Sequence, residues 1–451
     1  MSFPRTVLFV LPLVLSPPLI TPATAGAQED DLIWGRVQTV TGEVHEGFIR
    51  WDRNEGAWAD LLNGYKETSP VVFEDWWELA HPGDTSRERV IEVAGYRITW
   101  DDDVPDFSSS HESGVRFGHI RSLTPTGDDE ARVELRSGRT VELEGGSTDL
   151  GTEVREILVF EEPEKAVRLE WGELERMDLM APPPGARTEG RRLHGTVQVR
   201  EGPRFTGYLA WDSDRAFTTD TLDGPGPGSS EWGVPFGRIT SIGALDDAVR
   251  IRLDDGSEVE PREGGDLDWG NPRIQISDPA LGMVEVEWDA VEEVRFHPPA
   301  TPTGLEGFDG GHRLRGTVVT TDSTELTGWI RWDADEEYSW EILDGRDGPL
   351  TFDVEFGEVA AIQRTMRLSV GVSADETGAD VQEHRREGAR VTLRDGRTFT
   401  LDGSNDVNGD NEGILVLEDG SGASPDDPEA SWVMVRWKDF LAARFEGEAG
   451  S

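Results

Sequence analysis

Acidic and amide side chains alternate along the segment DVNGDNEG, which begins at Asp406. Asp406, Asn408, Asp410 and Glu412 stand at every second position. Calcium takes several oxygen ligands, and carboxylate and amide groups of one loop can supply them. The segment lacks the sixth-place glycine of an EF-hand, and its twelfth place is Leu417. The spacing therefore predicts a calcium site of another kind, and an aspartate that caps a turn is the alternative.

Catalytic motifs are missing from the sequence. It contains eight histidines but no HExxH, GxSxG or phosphate-loop lysine pattern. Carboxylates are so abundant that a pair of them indicates nothing alone. We therefore expect a protein that is not an enzyme and has no cofactor except calcium, with a hydrolase built on a carboxylate-lined cleft as a lower alternative.

Three tryptophans form a second candidate site, for ligand binding. Trp76, Trp77 and Trp100 lie in a segment that is present in only one of the three sequence repeats described below. Exposed aromatic rings stack on sugars or anchor protein partners. A small hydrophobic core under this segment is the alternative interpretation.

The first 25 residues have the layout of a secretory signal peptide. Arg5 is followed by an apolar run, 7–20, and then by small residues around Ala25. No other stretch approaches 18 apolar residues, so we expect no transmembrane segment in the mature chain. The expected location is secreted or periplasmic.

The charge of the chain is strongly negative. It has 90 acidic and 43 basic residues among 451, a formal net charge of −47. Such a chain repels nucleic-acid phosphates, so we expect no nucleic-acid partner. The chain has no cysteine, which excludes disulfides.

One sequence unit occurs three times. Each copy begins with a glycine, has a second glycine twelve residues later, and has a Trp-Asp pair four residues beyond that. These landmarks are Gly35, Gly47 and Trp51 in copy one, Gly195, Gly207 and Trp211 in copy two, and Gly316, Gly328 and Trp332 in copy three. The expected domains are 1–25 as signal peptide, 26–180 as module one with insertion 65–112, 191–296 as module two and 312–451 as module three, with linkers 181–190 and 297–311.

Apolar and polar residues alternate with a period of two through each copy, which is typical of strands with one buried face. Asp255-Gly256 and Asp395-Gly396 separate such runs and predict two-residue hairpin turns. Polar insertions in copy three, 371–388 and 419–431, are expected to be loops. The sequence therefore predicts an all-β protein with three tandem antiparallel modules.

The hairpin 318–333 resembles the first strands of Sm-like and Src-homology-type small barrels, through Val318, Gly328, Ile330 and Asp333. A later segment is similar, through Val391, Leu393, Gly396 and Phe399. The resemblance implies one or two SH3-like small barrels per module, with one β-sandwich per module as the alternative. The RNA binding of Sm proteins does not carry over to so acidic a chain.

Repetition favours a binding role, because several similar modules offer several sites whose avidity multiplies. We expect a non-enzymatic binding or scaffold protein whose partner is a protein or polysaccharide of the cell envelope. A calcium-dependent carbohydrate-binding protein is the alternative.

Overall fold

The computed structural model describes residues 29–67, 89–93, 96–100, 110–145, 148–225, 231–244, 249–261, 267, 273–375, 378–427 and 430–447. Throughout these ranges the chain forms antiparallel strands and short 3-10 turns, and no α-helix. The prediction of an all-β fold is confirmed. The same ranges contain no helix of the length and apolarity needed to cross a membrane. The predicted signal peptide lies outside them.

Each copy supplies at least ten strands. The strands of copy one are β1 (Trp34–Thr39), β2 (Val44–Trp51), β3 (Leu61–Glu67), β4 (Arg89–Val93), β5 (Tyr96–Trp100), β6 (Ser110–Arg116), β7 (Ile120–Pro125), β8 (Glu130–Leu135), β9 (Thr140–Glu144), β10 (Ile157–Glu162), β11 (Lys165–Leu169) and β12 (Leu174–Leu179). Those of copy two are β13 (His194–Val199), β14 (Arg204–Trp211), β15 (Thr221–Pro225), β16 (Glu231–Pro235), β17 (Ile239–Ala244), β18 (Val249–Leu253), β19 (Glu258–Val259), β20 (Ile274–Asp278), β21 (Gly282–Val286) and β22 (Val291–Phe296). Those of copy three are β23 (Arg315–Thr320), β24 (Glu325–Arg331), β25 (Ile342–Asp347), β26 (Leu350–Glu355), β27 (Val359–Asp375), β28 (Gly378–Leu393), β29 (Thr398–Leu401), β30 (Ile414–Glu418), β31 (Val433–Val435) and β32 (Phe440–Phe445).

Short 3-10 turns recur at matching places. The described turns are Phe117–His119, Trp171–Glu173, Phe236–Arg238, Trp288–Ala290, Leu305–Gly307, Phe356–Glu358, Asn405–Val407, Asp419–Ser421 and Trp437–Asp439.

The order of strands in the sheet is the same in the three copies. It runs β11-β10-β2-β1-β12-β7-β8-β9 in copy one, β21-β20-β14-β13-β22-β17-β18-β19 in copy two and β31-β30-β24-β23-β32-β27-β28-β29 in copy three. Similar sequence landmarks therefore produce similar pairing. The domain boundaries, and the choice between small barrels and a sandwich, stay predictions.

The hairpin β25–β26 belongs to copy three but extends the sheet of copy two. Strand β26 pairs with β21 in an antiparallel register that sets Val354 opposite Gly282. In copy one the corresponding hairpin, β3–β6, instead joins its own sheet at β9. One continuous hydrophobic core, which includes Trp211 and Trp332, also runs through copies two and three.

The two repeated glycines are cross-strand partners. Gly316 of β23 lies opposite Gly328 of β24, and the equivalent glycines pair in the other copies. A Cβ atom on Gly328 would lie 1.9 Å from the carbonyl oxygen of Leu417 in β30. Glycine is needed because the neighbouring backbone occupies the space of a side chain.

The predicted hairpins form, but their turns are one residue longer than expected. Leu253 donates its backbone N–H to Ser257 at 2.9 Å, which leaves three residues in the turn. Gly256 takes the left-handed position with φ of 81°, as in the common three-residue hairpin. Within the predicted loop 371–388 the described backbone instead continues the long hairpin β27–β28.

Candidate functional site

A tight turn follows each of the repeated tryptophans, which end β2 and β14 and directly follow β24. The next residues, Asp52, Asp212 and Asp333, have φ of 41°, 52° and 48°. This left-handed backbone is uncommon for residues other than glycine, and aspartate is among those that tolerate it. The fourth residue after each tryptophan pairs with it across the turn, and these residues are Glu55, Arg215 and Glu336. The tryptophans themselves are buried, as expected from their place among the alternate apolar residues of each strand.

Several ion pairs join copy one to the other copies, and three of them use the acid that lies nine residues after the repeated tryptophan. Arg192 of copy two donates to both oxygens of Asp60, at 2.8 and 3.0 Å, and both side chains are buried. The other two pairs are Arg50–Asp220 and Lys66–Glu341. Each of the acids also accepts two backbone N–H groups of its own loop. These ion pairs therefore help to fix the position of copy one relative to copies two and three.

Two adjoining cavities, of 540 and 340 Å³, lie where the copies meet, and we call them together the central cleft. They share five lining residues, among them Glu112, Asp344 and Asp353. All three copies contribute acids, which are Glu55, Asp60, Glu112, Asp149, Glu285, Glu336, Asp344, Asp353, Asp406, Asp410 and Glu412. The arginines of the lining are fewer: Arg155, Arg192, Arg273 and Arg346. The cleft therefore carries an excess of negative charge.

The shared sheet of copies two and three forms one wall of the cleft. Asp353 of β26 lies opposite Met283 of β21, and Thr351 lies opposite Glu285, so the four side chains share one face. Burial, and next the charge of Glu285, raise the pKa of Asp353 well above its usual range. Glu285 accepts a hydrogen bond from Arg273 at 2.5 Å. The wall thus presents two acids in different surroundings.

Copy one places three buried carboxylates together. One oxygen each from Asp52, Glu55 and Asp149 lies within 4.8 Å of the others, the only such trio among the residues that the structure describes. Arg155 binds Asp52 through Nε, at 3.1 and 3.0 Å, and through Nη2 at 2.6 Å. Oε2 of Glu55 is buried and has no hydrogen-bond partner. Burial raises the pKa of Asp149 to about 6 and that of Glu55 well above its usual range.

Copy three has acids at the same positions. Glu336 is 5% exposed, and its buried Oε2 has no hydrogen-bond partner. Asp406 accepts from the backbone N–H of Asp344 at 2.8 Å. Asp333 accepts from the side-chain amide of Asn405 and from a backbone N–H. Burial, followed by the charges of neighbouring carboxylates, raises the pKa values of Asp333, Glu336 and Asp406.

The structure brings three of the four predicted calcium ligands to the central cleft. Asp406, Asp410 and Glu412 line its smaller cavity. Asn408 instead accepts the backbone N–H of Asp410 at 2.6 Å, which is the geometry of a capped turn. The calcium site stays a prediction, with an altered set of candidate ligands.

The predicted aromatic site cannot be placed in the same way. Trp76 and Trp77 lie outside the described residues. Trp100 ends strand β5, whose backbone pairs with β4. The binding role of these tryptophans stays a prediction.

Sequence reasoning missed Glu55, Glu336 and Asp353 as residues of the cleft. The first two had a usable signal, because both are the fourth residue after a repeated tryptophan and copy two has Arg215 there. Asp353 had no such sequence signal, since the matching residues of the other copies are Gly114 and Gly233.

No protein-family model, curated protein or solved structure matches this chain. The geometry and charge of the central cleft are therefore the basis on which a function can be inferred.

Proposed function

We propose that the protein is a non-enzymatic binding protein and that the central cleft holds a ligand with positive charge. One observation carries this proposal: all three copies turn carboxylates toward the same cleft, where they outnumber the arginines. A concave site of one charge sign concentrates ligands of the opposite sign. Buried ion pairs such as Asp60–Arg192 favour a cleft that exists before the ligand arrives.

The lining favours a ligand that makes many hydrogen bonds. Apolar side chains are few and include Leu61, Met283 and Ile342, whereas carboxylates and the amides of Asn54, Asn63 and Gln275 are common. Such a surface suits amino and hydroxyl groups. An amine-bearing saccharide is the class of envelope polymer that this chemistry fits.

Calorimetric titration of the full chain with a glucosamine tetrasaccharide tests the proposal. Its N-acetylated form has no charge and is expected to bind at least tenfold more weakly. Because the pKa of Asp353 is raised, binding of a cation should release a proton. The observed heat should then change with the ionisation enthalpy of the buffer.

Asp353→Asn should reduce both the affinity and the proton release. Asp128→Asn, at an exposed position outside the cleft, is the matched control and should bind as the unaltered chain does. Equal affinity for the charged and acetylated sugars, or no binding of either, would contradict the proposal.

A hydrolase is the second candidate, favoured by the pair on the shared wall. A carboxyl group with a raised pKa beside a second carboxylate is the arrangement of a general acid and its partner. Incubation of the tetrasaccharide with the chain, followed by chromatography, separates the two functions. Products that disappear in Asp353→Asn would establish hydrolysis, and intact sugar would leave the binding role.

A further inference from the structure

Copies one and three build the same acidic turn around a buried tryptophan. The indole N–H of Trp51 donates to the backbone oxygen of Asp149 at 2.8 Å. That of Trp332 donates to the backbone oxygen of Asp406 at 2.9 Å. In both copies an aspartate follows the tryptophan directly, and a glutamate follows three residues later. The two turns can therefore be compared position by position.

Copy one contains its own counter-ion. Arg155 follows Asp149 by six residues, and its guanidinium binds both side-chain oxygens of Asp52. The same guanidinium donates to the side chain of Asn54 at 2.7 Å. The positive charge offsets part of the cost of bringing three carboxylates together in a buried place.

Copy three has an acid where copy one has this guanidinium. Glu412 follows Asp406 by six residues, the place that Arg155 takes after Asp149. The nearby Lys66 is engaged by Asp335 and Glu341. At the compared sequence positions copy three therefore has four acids and no arginine.

The side chain of Glu336 is an independent sign that a ligand binds here. It is 5% exposed, lines the smaller cavity of the central cleft, and has a buried oxygen without a hydrogen-bond partner. Most buried polar atoms in proteins are hydrogen-bonded, so an exception calls for an explanation. In copy two the residue at this position is Arg215, which bonds Asp214 instead.

We propose that copy three binds a calcium ion in the place that the Arg155 guanidinium takes in copy one. All four ligands are carboxylates, whose hard oxygen atoms calcium prefers. They are Asp333, Glu336, Asp406 and Glu412. Their oxygens are spread more widely than the 4.8 Å trio of copy one, so binding must draw them together. That rearrangement places the dissociation constant at about 10⁻⁵ to 10⁻³ M, toward the weaker end of protein calcium sites. The site does not depend on what else the cleft binds.

Calcium titration of the full chain by calorimetry, after removal of metal with a chelator, tests this assignment. One equivalent of calcium should bind to the unaltered chain. Glu336→Gln should weaken binding at least tenfold. Glu55→Gln makes the same change at the matching position of copy one and should leave the calcium affinity unchanged.

Glu412→Arg is the decisive variant, because it gives copy three the counter-ion of copy one. It should abolish calcium binding and should raise the melting temperature measured in chelator. That melting curve also shows that the variant is folded.

Three results would overturn the proposal: no calcium binding by the unaltered chain, unchanged binding by folded Glu412→Arg, or loss of binding in Glu55→Gln with retention in Glu336→Gln.

Discussion

Asp149 should make the stability of the protein depend on pH in the direction opposite to that of an ion-paired acid. Its side chain is buried, and burial raises its pKa from the ordinary 3.8 to about 6. Well below pH 3.8 the carboxyl is protonated in both the folded and the unfolded chain, and the penalty vanishes. Above pH 6 it is ionised in both states, and the folded state carries the full penalty.

The size of this penalty follows from the two pKa values, 3.8 and about 6. Each tenfold difference in proton affinity is worth about 1.4 kcal/mol, so the penalty is about 3 kcal/mol. Asp149→Asn removes the charge and keeps an oxygen that can accept the two donors of Asn63, now at 2.9 and 2.8 Å. The variant should therefore be more stable than the unaltered chain by up to about 3 kcal/mol above pH 6, and by less than about 1 kcal/mol at pH 4.

Melting curves at pH 4, 5, 6 and 7.5, with excess chelator, measure the effect. For a chain of this size that unfolds as one unit, about 3 kcal/mol corresponds to a rise of about 3 °C. Asp128→Asn, which removes an exposed acid, is the control and should show no such change with pH. A difference between Asp149→Asn and the unaltered chain that stays constant from pH 4 to 7.5 would refute the reasoning, as would a less stable variant at pH 7.5.

Other changes should act through named contacts. Arg192→Met leaves the buried charge of Asp60 without its partner and should cost about 3–5 kcal/mol in urea unfolding; Arg50→Met, in a pair whose side chains are 13% and 15% exposed, should cost clearly less, and equal costs would contradict this ranking. Gly328→Ala places a Cβ atom against the Leu417 carbonyl and should lower the melting temperature strongly, whereas Gly420→Ala, with open space around it, should not. Calcium at millimolar concentration should raise the melting temperature of the unaltered chain but not that of Glu412→Arg.

Local patterns predicted the strands well because their physical cause is local. Alternation with a period of two follows from the pleat of a strand, and it indicated β8, β18 and the last residues of β28 correctly. Turn length was predicted less well, since Gly256 serves a two-residue and a three-residue turn equally. The insertion 371–388 was expected to be a loop because it is a polar insertion into the repeat, but its described backbone forms a two-stranded antiparallel ribbon.

The candidate site was predicted only in part. The alternating segment that begins at Asp406 does reach the cleft, because three of its four predicted ligands line it, and the calcium site itself stays a prediction. Glu336 lies seventy residues earlier in the chain and enters the same cleft through the turn after Trp332. Spacing within one segment cannot indicate such a partner, although comparison of the copies could have done so.

The sequence by itself determined the repeated strand order, since the glycines, tryptophans and alternating runs that set local pairing occur in each copy. Only the tertiary structure decided that β26 of copy three joins β21 of copy two, and that Arg192 reaches Asp60. Those contacts depend on how the copies join and pack against each other, and this packing brings together residues that no local period relates. The central cleft is a product of that packing, and so is the excess of negative charge within it.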